Sequence, residues 1–219
     1  MVQKLLKNYK LLIFDWDGTV MESTDVIVKS LLSTADDLNL QKPPIKAIHD
    51  TIGLNLKDQC DILFPNVNYE KFHDRHLENY ATYSNEATFF DGAIETLNIL
   101  KELNYKLAIA SSKHRQRLEK LLNDYNISSL FSAISCGDDG FAKPDPRMIQ
   151  SILSKLKIDA DHSVMIGDSE YDMQLANSAR VDAIAVCYGI RDKKQLSKYK
   201  PIEYINNIKE LQALFNPFK

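Results

Sequence analysis

Leu11-Leu12-Ile13-Phe14-Asp15-Trp16-Asp17-Gly18-Thr19 is the stretch that decides the fold. Four consecutive apolar residues, preceded by Tyr9, make a strand short enough to be buried on both faces. The run then stops in two acids and a glycine, the composition of a tight turn. Continuously apolar strands belong to parallel sheets covered by helices, where the loops at the carboxyl ends of the strands line the ligand crevice. Asp15 and Asp17 are expected at such an edge.

Beyond Thr19 the pattern is helical. Ser23 or Thr24 can cap a helix in which Ile27, Leu31, Ala35 and Leu38 recur at spacings of four, four and three. Pro43-Pro44 breaks the chain, and residues 45–52, 56–63 and 69–83 carry further helical patterns with no convincing strand. After Phe90 helices and strands alternate. The expected helices cover residues 93–103, 114–125, 146–156 and 172–179; the strands cover 106–110, 131–135, 163–166 and 183–186. Alternation of this kind implies βαβ units and a parallel sheet. The expected fold is α/β: a doubly wound, Rossmann-like core of residues 1–19 and 87–219, interrupted by an all-helical module at 20–86. The hinges are expected near Val20 to Ser23 and near Ala87 to Gly92.

Composition excludes other classes. Across 219 residues, 27 Lys plus Arg against 30 Asp plus Glu give a net charge of −3, too even for binding nucleic acid by charge alone. No run approaches the roughly 18 apolar residues of a membrane span. Cys60, Cys136 and Cys187 are far apart and odd in number, with no C-x-x-C, so they are read as buried free thiols in a reducing compartment. Basic residues between Met1 and Lys10 precede an apolar run too short for a secretory leader, and the cytoplasm is the expected location.

Reading each strand to its end collects the chemistry. Asp15 and Asp17 follow the first strand; Ser111, Ser112 and Lys113 the second; Asp138, Asp139 and Lys143-Pro144 the third; Gly167-Asp168-Ser169 and Asp172 the fourth. Converging carboxylates repel unless a cation holds them, and an all-oxygen donor set suits Mg²⁺. An EF-hand is excluded, because glycine stands at the fourth loop position and no Glu follows at the twelfth. Taken singly, each motif also reads as a cap or a turn.

Together they resemble the haloacid dehalogenase-like superfamily of Mg²⁺-dependent phosphohydrolases, in its phosphoglycolate phosphatase-like group with a helical cap. Asp15-Trp16-Asp17-Gly18-Thr19, Ser111, Lys143-Pro144-Asp145-Pro146 and Gly167-Asp168-Ser169 with Asp172 match the four motifs in order. The resemblance implies a phosphatase acting on a small phosphorylated metabolite, of the phosphoglycolate or sugar phosphate type, through an aspartyl-phosphate on Asp15. Asp17 would be the acid and base, held by Thr19. Lys143 and the Ser111 hydroxyl would meet the phosphoryl oxygens, with backbone N–H groups near Trp16, Asp17 and Ser112. Mg²⁺ would be held by the carboxylates of Asp15 and Asp168 and by the Asp17 carbonyl, with Asp172 orienting from behind.

The insert would be the cap, presenting Gly53 to the substrate. Arg75, His73 and His76 are read as solvated, and Asp138 and Asp139 as a solvated loop. Two positions depart from the group's pattern: Arg180 stands where glycine is usual, and Phe90-Asp91-Gly92 replaces a Pro-Gly pair. A sugar phosphomutase on the same scaffold, which more often carries Val in place of Thr19, and a non-catalytic regulatory protein are the alternatives. No nucleic-acid or membrane partner is expected, and a monomer is the default, with a dimer possible.

Overall fold

A computed structural model describes residues 8–216. The basic start of the chain lies mostly outside the described residues. In chain order the elements are β1 (Leu11–Phe14), β2 (Met21–Glu22), α1 (Thr24–Asp37), α2 (Ile45–Thr51), α3 (Leu56–Leu63), α4 (Tyr69–Tyr83) and β3 (Thr88–Phe89). There follow α5 (Ala93–Glu102), β4 (Lys106–Ser111), α6 (Arg115–Asp124), β5 (Phe131–Cys136), α7 (Arg147–Leu156), β6 (Ser163–Gly167) and α8 (Glu170–Ala179). The chain closes with β7 (Asp182–Val186), α9 (Lys193–Leu196), β8 (Glu203–Ile205) and α10 (Glu210–Phe215).

Six strands form one parallel sheet in the order β5-β4-β1-β6-β7-β8. The chain runs outward from β1 through β4 to β5, then crosses back to β6 and outward again. β1 therefore sits at the topological switch, flanked by β4 and β6, where a ligand crevice opens beyond the strand ends. The period-2 alternation of side chains sorts the sheet into two cores. Leu12, Phe14, Leu107, Ile109, Val164, Ile166, Ile184 and Val186 face one layer. Leu11, Ile13, Ala108, Ala110, Met165, Ala183 and Ala185 face the other. On that second face four of the seven are alanines, which lets α7 and α8 approach with Met148, Ile149, Ile152, Met173 and Leu175.

The helical insert has a hydrophobic cluster of its own, built from Leu31, Ala35, Ile48, Cys60, Phe64 and Phe72. Its entry and return strands pair: Met21 lies opposite Phe89 and Glu22 opposite Thr88, antiparallel. Lys29 and Glu86 bridge the insert just beyond this ribbon. Trp16, fully buried, stands edge-on to Phe89 and to Phe131 of the sheet, at 6.1 and 6.2 Å between ring centroids. The indole thereby ties the turn after β1 to the hinge.

Several local expectations are corrected. The hinge strands, β8 and α10 carry too little periodicity to be read from sequence. Ser23 does stand at the N-terminus of α1, but its hydroxyl makes no capping bond. Cys60 and Cys136 are buried, whereas Cys187 is only half-buried. Arg180 ends α8 in the left-handed region at φ 57°, the conformation for which glycine is favoured. Gly92 takes φ 76° at the return hinge. No helix among the described residues is long and apolar enough to cross a membrane.

His76 is not solvated as the sequence implied; it is 5% exposed and stacked on Phe72 at 6.0 Å. Burial pushes its pKa down to about 3, assisted by the neighbouring charges of Arg117, His73 and Lys113. The unfolded chain therefore holds a proton on this ring below about pH 6.5 that the native state refuses. Stability contributed by neutral His76 is complete above about pH 6.5 and drains away as the pH falls toward 3. Urea titrations from pH 7.5 to 4.5 should show native stability declining by a few kcal/mol, with His76→Phe reducing that slope by roughly 1.4 kcal/mol per pH unit.

Candidate active site

The acids after β1 and β6 meet at one point because those strands are neighbours in register, Phe14 beside Ile166. The Asp15 N–H donates to the Ile166 carbonyl at 2.9 Å, extending the sheet by one bond into the turn. The turn then closes on itself, with the N–H groups of Val20 and Met21 donating to the Trp16 carbonyl at 2.9 and 3.0 Å. Gly18 makes the reversal possible at φ 82°, and a Cβ there would stand 2.2 Å from Asp168 Oδ2. Glycine is required both for the left-handed backbone and for the space.

Asp15, Asp168 and Asp172 are all buried and each offers a carboxylate oxygen within 4.8 Å of the others. Lys143 is wedged among them with its side chain fully buried, Nζ at 2.5 Å from Asp15 Oδ1 and 2.6 Å from Asp172 Oδ1. Asp172 is further fixed by Ser169, whose N–H and hydroxyl donate to its Oδ2 at 2.9 and 2.6 Å in a capping box at the start of α8. Asp168 accepts from Thr19 Oγ1 at 3.1 Å and from the Ile190 N–H at 2.7 Å.

One ammonium cannot balance three carboxylates. Burial, and then the charge of Asp172, hold Asp15 well above the usual carboxylate range, although Lys143 pulls the other way. The same two causes, in the same order, push Asp168 up to about 7. Burial disfavours the charge of Lys143, but Asp15 and Asp172 outweigh it and raise the pKa above that of a free lysine. Three ionised acids and one lysine leave two negative charges, the charge of one divalent cation. The donors are all oxygen, as a hard cation prefers.

Asp17 occupies a different place. Its Oδ1 accepts from Ser23 Oγ at 2.6 Å and pairs with Lys113 Nζ at 3.0 Å. The expectation that Thr19 holds Asp17 is thus corrected: the Thr19 hydroxyl goes to Asp168, and Ser23 at the hinge takes the role. Lys113, given no role from sequence, is nearly buried and donates to the Tyr80 hydroxyl of α4 at 2.8 Å. Burial opposes its charge, yet Asp17 and Tyr80 leave its pKa raised. Ser111 is buried, its hydroxyl accepting the Lys113 N–H at 3.2 Å. Asp138 and Asp139 lie in an exposed turn, as expected, where Arg115 engages both. They accept from the Arg115 N–H and pair with the Arg115 guanidinium, respectively, at the start of α6.

The insert lies over these groups. Gly53, in the turn between α2 and α3, accepts the Ser112 hydroxyl at its carbonyl, 2.5 Å, and packs beside Ser169 and Tyr171. The Tyr171 hydroxyl donates to the Asp50 carbonyl at 3.0 Å. Gly53 and Ser112 therefore hold insert and core together, which the sequence reading did not foresee. Beneath them is a cavity of about 250 Å³ lined by Asp15, Asp17, Ser111 and Lys113 from the core, with Gly53, His76 and Tyr80 from the insert. Of the other two positions read as solvated, Arg75 is partly exposed and pairs at the surface with Asp37 and Glu78, whereas His73 lines the cavity.

The pattern of a family model, haloacid dehalogenase-like hydrolase, matches residues 12–186. The chain belongs to this family. Among its relatives is the pyrophosphatase PpaX of Bacillus velezensis, 27% identical, spanning 94% of this chain and 95% of the relative. A phosphoglycolate phosphatase of Agrobacterium fabrum is 30% identical over 83% of this chain and 82% of its own length. A hydrolase from Pseudomonas syringae superposes with a TM-score of 0.84 at 23% identity, covering 94% of this chain and 96% of that one. A haloacid dehalogenase-like protein from Streptococcus pneumoniae gives 0.80 at 21% identity, covering 96% and 100%. These likenesses extend over the insert as well as the sheet, so the fold of both parts is shared.

Gly18→Ala tests how closely the turn is built around Asp168. Backbone strain alone should cost about 1–3 kcal/mol, measured by urea unfolding. The new methyl group would also displace the Asp168 carboxylate from its bonds with Thr19 and Ile190.

Proposed function

We propose that this chain is a Mg²⁺-dependent phosphatase that hydrolyses a small phosphorylated metabolite through an aspartyl-phosphate on Asp15. The observation that carries this reading is the contact of Asp15 with buried Lys143, beside a cavity that Asp15 and Asp17 line together with residues of the insert. The relatives named pyrophosphatase and phosphoglycolate phosphatase support it.

The carboxylates of Asp15 and Asp168 would hold the cation, with the Asp17 carbonyl; Asp172 would anchor Lys143 beside it. When bound, Mg²⁺ supplies the positive charge that the acids lack and draws off charge from the phosphoryl oxygens. Lys143 favours the ionised form of Asp15, against burial and Asp172, and would meet the transferring group's oxygens with the Ser111 hydroxyl. An Asp15 carboxylate oxygen attacks phosphorus as the bond to the leaving oxygen breaks, and that oxygen takes a proton from the Asp17 carboxyl. Water then attacks the aspartyl-phosphate. Its proton passes to Asp17, the bond from phosphorus to Asp15 breaks, and inorganic phosphate leaves with both aspartates restored.

Ser23 and Lys113 fix the Asp17 carboxyl group. Ser23 belongs to the hinge, and Lys113 is tied to Tyr80 of the insert. The acid–base group is therefore positioned only when the insert lies closed, which also excludes water from Asp15.

Turnover of an aryl phosphate should stop in EDTA and return with Mg²⁺. Asp15→Asn should lose activity by roughly three orders of magnitude or more while its circular dichroism stays unchanged. Turnover that survives chelation would remove the metal from the account. A variant keeping a tenth of the activity would remove Asp15 as nucleophile.

A further inference from the structure

The cavity wall carries basic side chains whose partners can be traced. Lys57 pairs with Asp61, Lys113 with Asp17 and His114 with Asp138. Arg117, on the cavity side of α6, is different. Its guanidinium forms no ion pair among the described residues, and its Nη2 is buried without a hydrogen-bond partner. The same helix shows what a satisfied arginine looks like: Arg115 is bound by Asp139 and Glu119.

Arg117 does rest on the Tyr80 ring, 4.7 Å from its centroid. That contact uses the face of the guanidinium, whereas its donors lie in the plane and stay unmet. His76, on the facing helix α4, likewise has a buried Nδ1 with no partner. That ring is neutral, so Arg117 carries the unpaired charge. An unsatisfied buried guanidinium N–H is unfavourable unless something arrives to accept it. Burial holds the pKa of Arg117 below that of a free guanidinium, Tyr80 and Asp17 acting in the opposite sense. It remains charged at any working pH.

We infer that Arg117 binds a second anionic group of the substrate, distinct from the phosphoryl group that is transferred. The flat fork of a guanidinium matches a carboxylate or a phosphate through two parallel bonds. A cavity of about 250 Å³ is smaller than a drug-sized site, so the two anionic groups are separated by few atoms. This assignment rests on the phosphatase reading and adds to it the residue that selects the substrate.

The test is calorimetric titration of three phosphonates into the Mg²⁺-loaded protein: methylphosphonate, phosphonoacetate and methylenediphosphonate. In the wild type the two ligands with a second anion should bind about 10- to 100-fold tighter than methylphosphonate. The larger of the two preferences tells whether the group is a carboxylate or a phosphate. In Arg117→Met the affinity ratio should fall close to one, and in Arg117→Lys it should recover in part. Because each ratio is taken within one protein, a loss of folded fraction does not alter it, and Arg117→Gln serves if the methionine variant does not fold. A wild-type ratio near one, or a ratio unchanged in Arg117→Met, overturns the assignment while aryl phosphate turnover leaves the phosphatase reading standing. Absence of both turnover and methylphosphonate binding overturns the two together.

Discussion

Lys143 between Asp15 and Asp172, with no part of its side chain in solvent, is the interaction on which the site depends. A buried ammonium and its carboxylates persist only when the geometry is close and the remaining donors and acceptors are satisfied. The structure meets that condition from several directions. Ser169 caps α8 through Asp172, Ile190 and Thr19 hold Asp168, and the Gly18 turn delivers Asp15. The bonds from Thr19 and Ile190 to Asp168, and from the Asp15 N–H to the Ile166 carbonyl, join the ends of different strands. The parallel sheet is the frame that makes a cluster of acids out of residues scattered along the chain.

The same arrangement leaves the site short of positive charge. Burial, and three acids against one lysine, hold Asp15 and Asp168 above their ordinary range, so that a cation bound there would displace protons into solvent. The insert then divides the work. Its hinge residue Ser23 and its Tyr80, through Lys113, control Asp17, while Gly53 fastens it to Ser112. The acid cluster belongs to the sheet edge; the placement of Asp17 depends on the insert that lies over it.

How much of this was legible depended on whether the signal was local. The apolar runs at β1, β4, β6 and β7 and the helical spacing in the insert are local, and they gave the architecture. The residues after each strand end followed from it, which is why Asp15, Asp168, Asp172 and Lys143 were placed at one edge. Pairings between distant residues were not legible. Thr19 was expected to hold its near neighbour Asp17, yet it reaches Asp168, 149 positions away, because the Gly18 turn points it across the crevice. Lys113 read as one charge after two serines, since its partners Asp17 and Tyr80 come from opposite sides of the hinge. His76 read as solvated because its helix is polar; the packing of α4 against α1, with Ser30 beside the ring, buries it. Arg117 gave no signal at all in sequence, for an arginine lacking a carboxylate partner is visible only in three dimensions.

The central claim is that the buried acids around Lys143 form a site for a divalent cation. Thermal unfolding at neutral pH, with and without millimolar Mg²⁺, tests it most directly in the wild type and in Asp168→Asn. The account predicts that Mg²⁺ raises the wild-type midpoint by several degrees and leaves Asp168→Asn nearly unmoved. A wild-type midpoint indifferent to Mg²⁺, or an equal rise in the variant, would contradict it.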